Sequence, residues 1–227
     1  MTDPKTGRLL SKDGSALITD EVYNTLISSL GAVLSVVGTL FLLHRAISVG
    51  LPWHLVGFSV YGLGLIGMFT ASALHHGINA SPETEHLLRQ LDYYAIFVMI
   101  AGSFTPFCLI LLRNRLGWFV LGLVWVITVV GIAIKALRPH APRWFITSLY
   151  LAMGWLGVLI AKPIYEAIHW QGLAAMMLGG IFFTVGAVIY LLEKPNPSPG
   201  RFGFHEIWHC CVFAGAASHF YIMSCCL

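Results

Sequence analysis

The sequence predicts an all-α integral membrane protein: a bundle of seven transmembrane helices, N-terminus in the cytoplasm and C-terminus outside. Three observations lead there. Of 227 residues, 57% are hydrophobic and 10% charged, with a mean hydropathy of +0.79, against roughly 45–50% and about 25% in soluble domains. The apolar residues gather in runs of about 20, the length that crosses a bilayer as a helix. The runs are continuous rather than alternating in period two, which favours helices over a β-barrel.

The runs fall at 25–43, 55–76, 92–112, 116–136, 144–162, 172–192 and 205–226. Short polar or helix-breaking stretches separate them, such as "INASPETEHLLRQ", "LRPHAPR", "PIYEAIHWQ" and "EKPNPSPGRFG". Residues 1–24 are polar and mixed, and read as a cytoplasmic segment rather than a cleavable signal. Residues 25–227 then form one transmembrane domain without an internal repeat. Lys5, Arg8, Lys12, Arg89, Lys135, Arg138, Arg143, Lys194 and Arg201 lie on the N-terminal side, and Arg45, Arg113, Arg115 and Lys162 on the other. Cytoplasmic loops are enriched in Lys and Arg, so this asymmetry orients the chain and predicts a multi-pass protein of the cell (inner or plasma) membrane. A net charge of +3, dispersed along the chain, argues against nucleic-acid binding. The five cysteines lack CxxC spacing and read as small buried apolar residues.

Ionisable residues at membrane depth are costly and mark functional sites. The second run ends in "TASALHHG", where Ser72 and His76 are four apart and share a helix face. The third begins "LDYYAI", which places Asp92 in its first turn, where capping is its bland alternative role. The seventh begins "HEIWH", with His205 and His209 again four apart. The predicted topology brings all three ends to the cytoplasmic side. Three imidazoles with an open fourth position suit a catalytic-type Zn²⁺ site, one ion per chain, and a nearby carboxylate can take a proton from coordinated water. His75 points about 100° away from His76 and is a second-choice ligand.

HEIWH also fits the HExxH pattern of zinc proteases. The metzincin extension is missing, however, and the next histidine, His219, lies ten residues beyond His209. That is about 15 Å along a helix, too far to share the metal. His219 therefore reads as a bundle hydrogen-bonding residue, with a proton path or substrate contact as the sharper alternative. Glu206 reads as a stabiliser of the positive N-terminus of the seventh helix.

Taken in order, "EVYN" (Glu21, Asn24), "SALHH" (Ser72, His76), "LDYYAI" (Asp92), "HEIWH" (His205, His209) and "GAASHF" resemble the bacterial hemolysin III family, a branch of the progestin and adipoQ receptor superfamily. The resemblance runs from about residue 20 to the end, making 25–227 a hemolysin III-like domain. It implies seven helices and a zinc ion near the cytoplasmic face held at His76, His205 and His209. It also implies Asp92 against the water on the metal, Ser72 beside it, and supporting roles for Glu21 and Asn24. One departure stands out: the family's first motif usually has a histidine four residues after the asparagine, and here that position is Ser28.

Three functions compete at this stage. The first is a ceramidase-like, zinc-dependent hydrolase of a lipid amide or ester, linked to membrane-lipid homeostasis, with Asp92 as general base and Ser72 positioning water or a carbonyl. Its partner would be a membrane lipid or fatty-acyl ligand. The second is a non-enzymatic lipid sensor with structural zinc, and the third a pore-forming hemolysin. A pore needs a polar stripe through the bundle, and the fourth and fifth runs offer only Thr128, Thr147 and Ser148 before their terminal lysines.

Overall fold

The computed structural model describes Lys12 and residues 21–227. Within these residues the chain forms α1 (Glu21–Val49), α2 (Pro52–Gly77), α3 (Pro82–Pro106), α4 (Arg115–Leu137), α5 (Arg143–Trp155), α6 (Ala161–Leu192) and α7 (Phe204–Cys225). A π-type turn (Phe107–Leu111) continues α3, and a 3-10 turn (Leu156–Ile160) joins α5 to α6. Among the described residues there is no strand beyond an isolated bridge between Ser198 and Phe202.

Local chemistry starts and stops these helices. Pro52 and Pro82 occupy first-turn positions, where a missing N–H costs nothing. Ser81 and Asn114 accept hydrogen bonds from the N–H groups of Thr84 and Gly117 at the starts of α3 and α4. Gly50, in the left-handed region at φ 71°, turns the chain between α1 and α2.

Five stretches are long and apolar enough to cross a membrane: Glu21–Val49, Pro52–Gly77, Pro82–Leu111, Arg115–Leu137 and Arg143–Leu192. These stretches, with the family relationship reported below, make this a multi-pass membrane protein. The last stretch is 50 residues long and would span about 75 Å as one rod. Yet Arg143 at its start donates to Glu193 just past its end, at 2.6 Å. The stretch is therefore a hairpin. It folds back at His169, whose backbone leaves the helical region (φ 54°, ψ −164°). The break expected across "PIYEAIHWQ" is thus mostly helical. α7 is not among the five, because His205, Glu206 and His209 dilute its first two turns.

α1 lies along α2, α2 along α3 and α6 along α7, with α1 also touching α7. Small residues allow the close approaches: Gly31 faces Phe69 and Gly62 faces Thr39 across α1 and α2. The outer faces stay apolar, with Leu30, Val33, Val37 and Leu40 of α1 and Val126 and Val129 of α4 all exposed. A bilayer, not water, is the solvent for such surfaces.

Two expectations need correction. α3 starts at Pro82, ten residues before the predicted run, because Ser81–Pro82 is a good helix start and "ETEHLLRQ" has no breaker. Asp92 is therefore well inside α3, and Ser81 is the cap. Of the cysteines, only Cys108 is buried; the other four sit on the exposed or half-exposed sides of α7 and its end.

Candidate metal centre

Three buried imidazoles converge where the end of α2 meets the start of α7. His76 is in the last turn of α2, and His205 and His209 occupy successive turns of α7. Their ring centroids form a near-equilateral triangle: 5.1 Å from His76 to His205, 4.9 Å from His76 to His209 and 4.8 Å from His205 to His209. One nitrogen from each ring lies within 4.8 Å of the others, so the three can hold one metal ion. Their i, i+4 spacing puts His205 and His209 on one face of α7, and the packing of α2 supplies the third.

The fit to a metal can be tested on nitrogen geometry. Nε2 of His76 and Nε2 of His209 are 3.2 Å apart. Two nitrogens each about 2.05 Å from a tetrahedral ion would be separated by about 3.3 Å. An N–H···N hydrogen bond has the same span, and with His209 as its donor either arrangement needs Nε2 of His76 free of a proton. Nδ1 of His76 lies 2.6 Å from Oε2 of Glu21. With Nδ1–H donating to that carboxylate, Nε2 is left as a lone pair turned toward the other two rings. This is the carboxylate–histidine–metal arrangement that orients a ligand and raises its basicity. The donor set fits a metal ion. Imidazole itself is shared by Zn, Cu, Fe and Ni.

α1 braces the site at three successive points on one face. Glu21 holds His76 as described. Asn24 donates through Nδ2 to Oε1 of Glu206 at 2.9 Å, and to Oε2 of Glu21 at 3.3 Å. Ser28 and Ser72 share a hydrogen bond of 3.0 Å. Ser28, at the position where a histidine was expected, therefore still ties α1 to α2. Glu206 is fully buried, and its second oxygen accepts from the Gly203 N–H at 2.7 Å. Both its oxygens are committed to the helix start and to Asn24, away from the role a protease gives this glutamate. HEIWH is a candidate ligand pair with a capping residue between its histidines.

Asp92 lines a small cavity together with His76, His205 and His209, and it is placed toward Ser72. The same aspartate, with Ser72 and His209, also lines a much larger cavity of about 360 Å³. That chamber runs among α2, α3, α5, α6 and α7 between walls of Met68, Phe69, Met99, Phe104, Ile160 and Phe183, and reaches His219. Trp155, Val158, Met177 and Ile181, from the α5–α6 hairpin, line it and are exposed. His75, the second-choice ligand, is buried with its ring 4.8 Å from that of His76 but is not one of the three convergent ligands.

One contact had no signal in the sequence. Lys12 donates from Nζ to the carbonyls of His75, His76 and Ile78, at 3.2, 3.2 and 2.6 Å, while its backbone N–H donates to Oε1 of Glu21 at 3.2 Å. The ammonium sits where the carbonyls ending α2 lack helical partners, a favourable place for a cation. Only the tertiary arrangement brings it within reach of His76.

Comparison with known proteins follows the same pattern. The family described as Haemolysin-III related matches residues 17–220. Hemolysin-3 of Bacillus cereus is 36% identical over 204 residues, covering 90% of each chain. The Hemolysin-3 homolog of Bacillus subtilis (strain 168) is 33% identical over 204 residues, covering 90% of this chain and 92% of its own. The human Monocyte to macrophage differentiation factor is 26% identical over 177 residues, covering 74% of this chain and 69% of its own.

Proposed function

The chain belongs to the haemolysin-III-related family, and from that premise we propose that it is a zinc-dependent hydrolase embedded in the cell membrane, acting on a lipid amide or ester. The observation behind this reading is a junction: of three convergent imidazoles, His209 lines a deep apolar chamber, and Asp92 and Ser72 line it too. In the accompanying topology, seven passes leave the N-terminus in the cytoplasm, in keeping with the Lys and Arg distribution. The site residues are His76, His205 and His209 as ligands, Asp92 and Ser72 as catalytic groups, and Glu21, Asn24 and Glu206 as supports.

Zn²⁺ in such a site supplies Lewis acidity and lowers the pKa of bound water to about 7. The protein's own residues do the rest. Glu21 holds His76 in the tautomer that presents Nε2. Asp92 is the general base, placed to take a proton from water and return it to the leaving amine or alcohol. Ser72, held by Ser28, directs its hydroxyl toward the reacting carbonyl or the water. The chamber takes the acyl chain, which enters sideways from the bilayer and excludes bulk water from the reacting end. A soluble peptide would reach this site poorly, which counts against proteolysis. Mostly apolar walls likewise count against a pore.

The test is purified protein with its metal quantified, assayed against ceramide and a panel of lipid amides and esters. The expected result is about one zinc per chain and turnover abolished by chelation. Stoichiometric zinc without turnover across the panel would favour a non-enzymatic lipid sensor with structural zinc.

A further inference from the structure

We infer that His219 is a second polar anchor of the chamber, placed to hydrogen-bond an oxygen carried partway along an acyl chain. On that basis the protein prefers hydroxylated or oxo-substituted chains to plain ones. The inference rests on the reading of the chamber as an acyl site and adds a feature of its occupant.

His219 lies on α7 ten residues beyond His209, about 15 Å along the helix. It lines the same chamber as His209, Ser72 and Asp92. Among the described residues neither of its ring nitrogens has a partner in hydrogen-bond geometry; the Met176 backbone is the polar group placed toward the ring. Other polar groups of the wall differ. Ser103 donates to the Met99 carbonyl at 2.9 Å, Thr184 to that of Gly180 at 2.7 Å, and Tyr150 to that of Tyr93 at 2.8 Å.

The ring is also fixed in place. A Cβ at Gly179 would come within 2.5 Å of its Cδ2 and 2.7 Å of its Nε2, so only glycine at that point of α6 leaves it room. Phe183 packs edge-on to it at 5.5 Å. A neutral imidazole carries one donor and one acceptor, so a hydroxyl satisfies either tautomer. An unpaired polar group in an apolar wall is costly, and a plain chain would leave it unpaired. A site with a buried hydrogen-bonding group discriminates against ligands that lack its counterpart.

Trp155 and Trp208 are part of the chamber wall, so tryptophan fluorescence of the full chain in nanodiscs reports occupancy. The probes are octadecanoic acid and the isomeric hydroxyoctadecanoic acids, with the hydroxyl moved along the chain. One hydroxyl position is expected to bind about tenfold more tightly than the plain acid, the scale of one well-made hydrogen bond. His219→Phe keeps the ring packing and should erase that preference while still binding the plain acid; His219→Gln should keep part of it. Equal binding of all isomers by the unaltered protein would overturn the inference alone and point to a resident water on His219. So would a preference that survives in His219→Phe. If His219→Phe does not fold, the isomer series on the unaltered protein and on His219→Gln decides. If the plain acid does not bind at all, the acyl-chamber reading falls, and this inference with it.

Discussion

The two ends of α7 treat buried polarity in opposite ways. At its start, Glu206 is held by Asn24 and Gly203, and the neighbouring His76 by Glu21. Ten residues past His209, His219 packs against Gly179 and Phe183, its ring nitrogens buried and neither bonded among the described residues. The first region is a network built largely within the protein, from which Asn24 Oδ1 and His75 Nδ1 are left out. The second is an open valence on a residue that lines a cavity. A bonded network fixes positions to within tenths of an ångström, as metal ligation requires. An open valence leaves the choice of partner to whatever enters.

The sharpest way to break the first region is His209→Ala, which removes one of three ligands. Metal content, measured by elemental analysis, should fall from about one equivalent per chain to near zero, and turnover with it. Unchanged metal content would show that the three imidazoles are not the site. Asp92→Asn comes next. A general base contributes about 10²- to 10⁴-fold, so turnover should drop by that order while bound metal stays the same. Parallel loss of metal would make Asp92 a ligand or a support instead.

Glu21→Gln probes the brace on His76. Loss of an outer-shell carboxylate typically weakens metal affinity by about 10- to 100-fold, read from competition with a chelator of known strength. No change would mean that the 2.6 Å contact with His76 does not set its tautomer. The smallest effect is expected at Asn24→Ala, which leaves one oxygen of the fully buried Glu206 without its donor. About 1–3 kcal/mol of stability should be lost, seen as a lower melting temperature, with the metal stoichiometry retained. Asn24→Asp should be worse still, because it sets a second carboxylate against the first.

Much of the metal centre was legible before any coordinates because helix geometry is local. His205 and His209 share a face simply by being four residues apart, and "SALHH" puts Ser72 and His76 on another. Glu21 and Asn24 were marked as supports by the resemblance, but their partners were not. Asn24 meets Glu206 across 182 positions, and no spacing rule reaches that far. The start of α3 departs from the start of its apolar run for a related reason. Hydropathy detects where a helix enters apolar surroundings, whereas the helix itself begins at its cap, Ser81–Pro82. The turn at His169 was obscured because the residues around it are good helix formers and only one residue leaves helical geometry.

The sequence by itself determined the class of solvent this chain needs, the positions of its apolar runs and the identity of the three side chains that can hold a metal. All three follow from composition and from the fixed periods of the helix. Tertiary structure alone decided that Glu206 pairs with Asn24, that Ser28 and Lys12 join the site, and that one chamber connects Asp92 to His219. Those outcomes depend on which helix faces meet and at what depth. Close packing between distant segments sets that, and no local pattern encodes it.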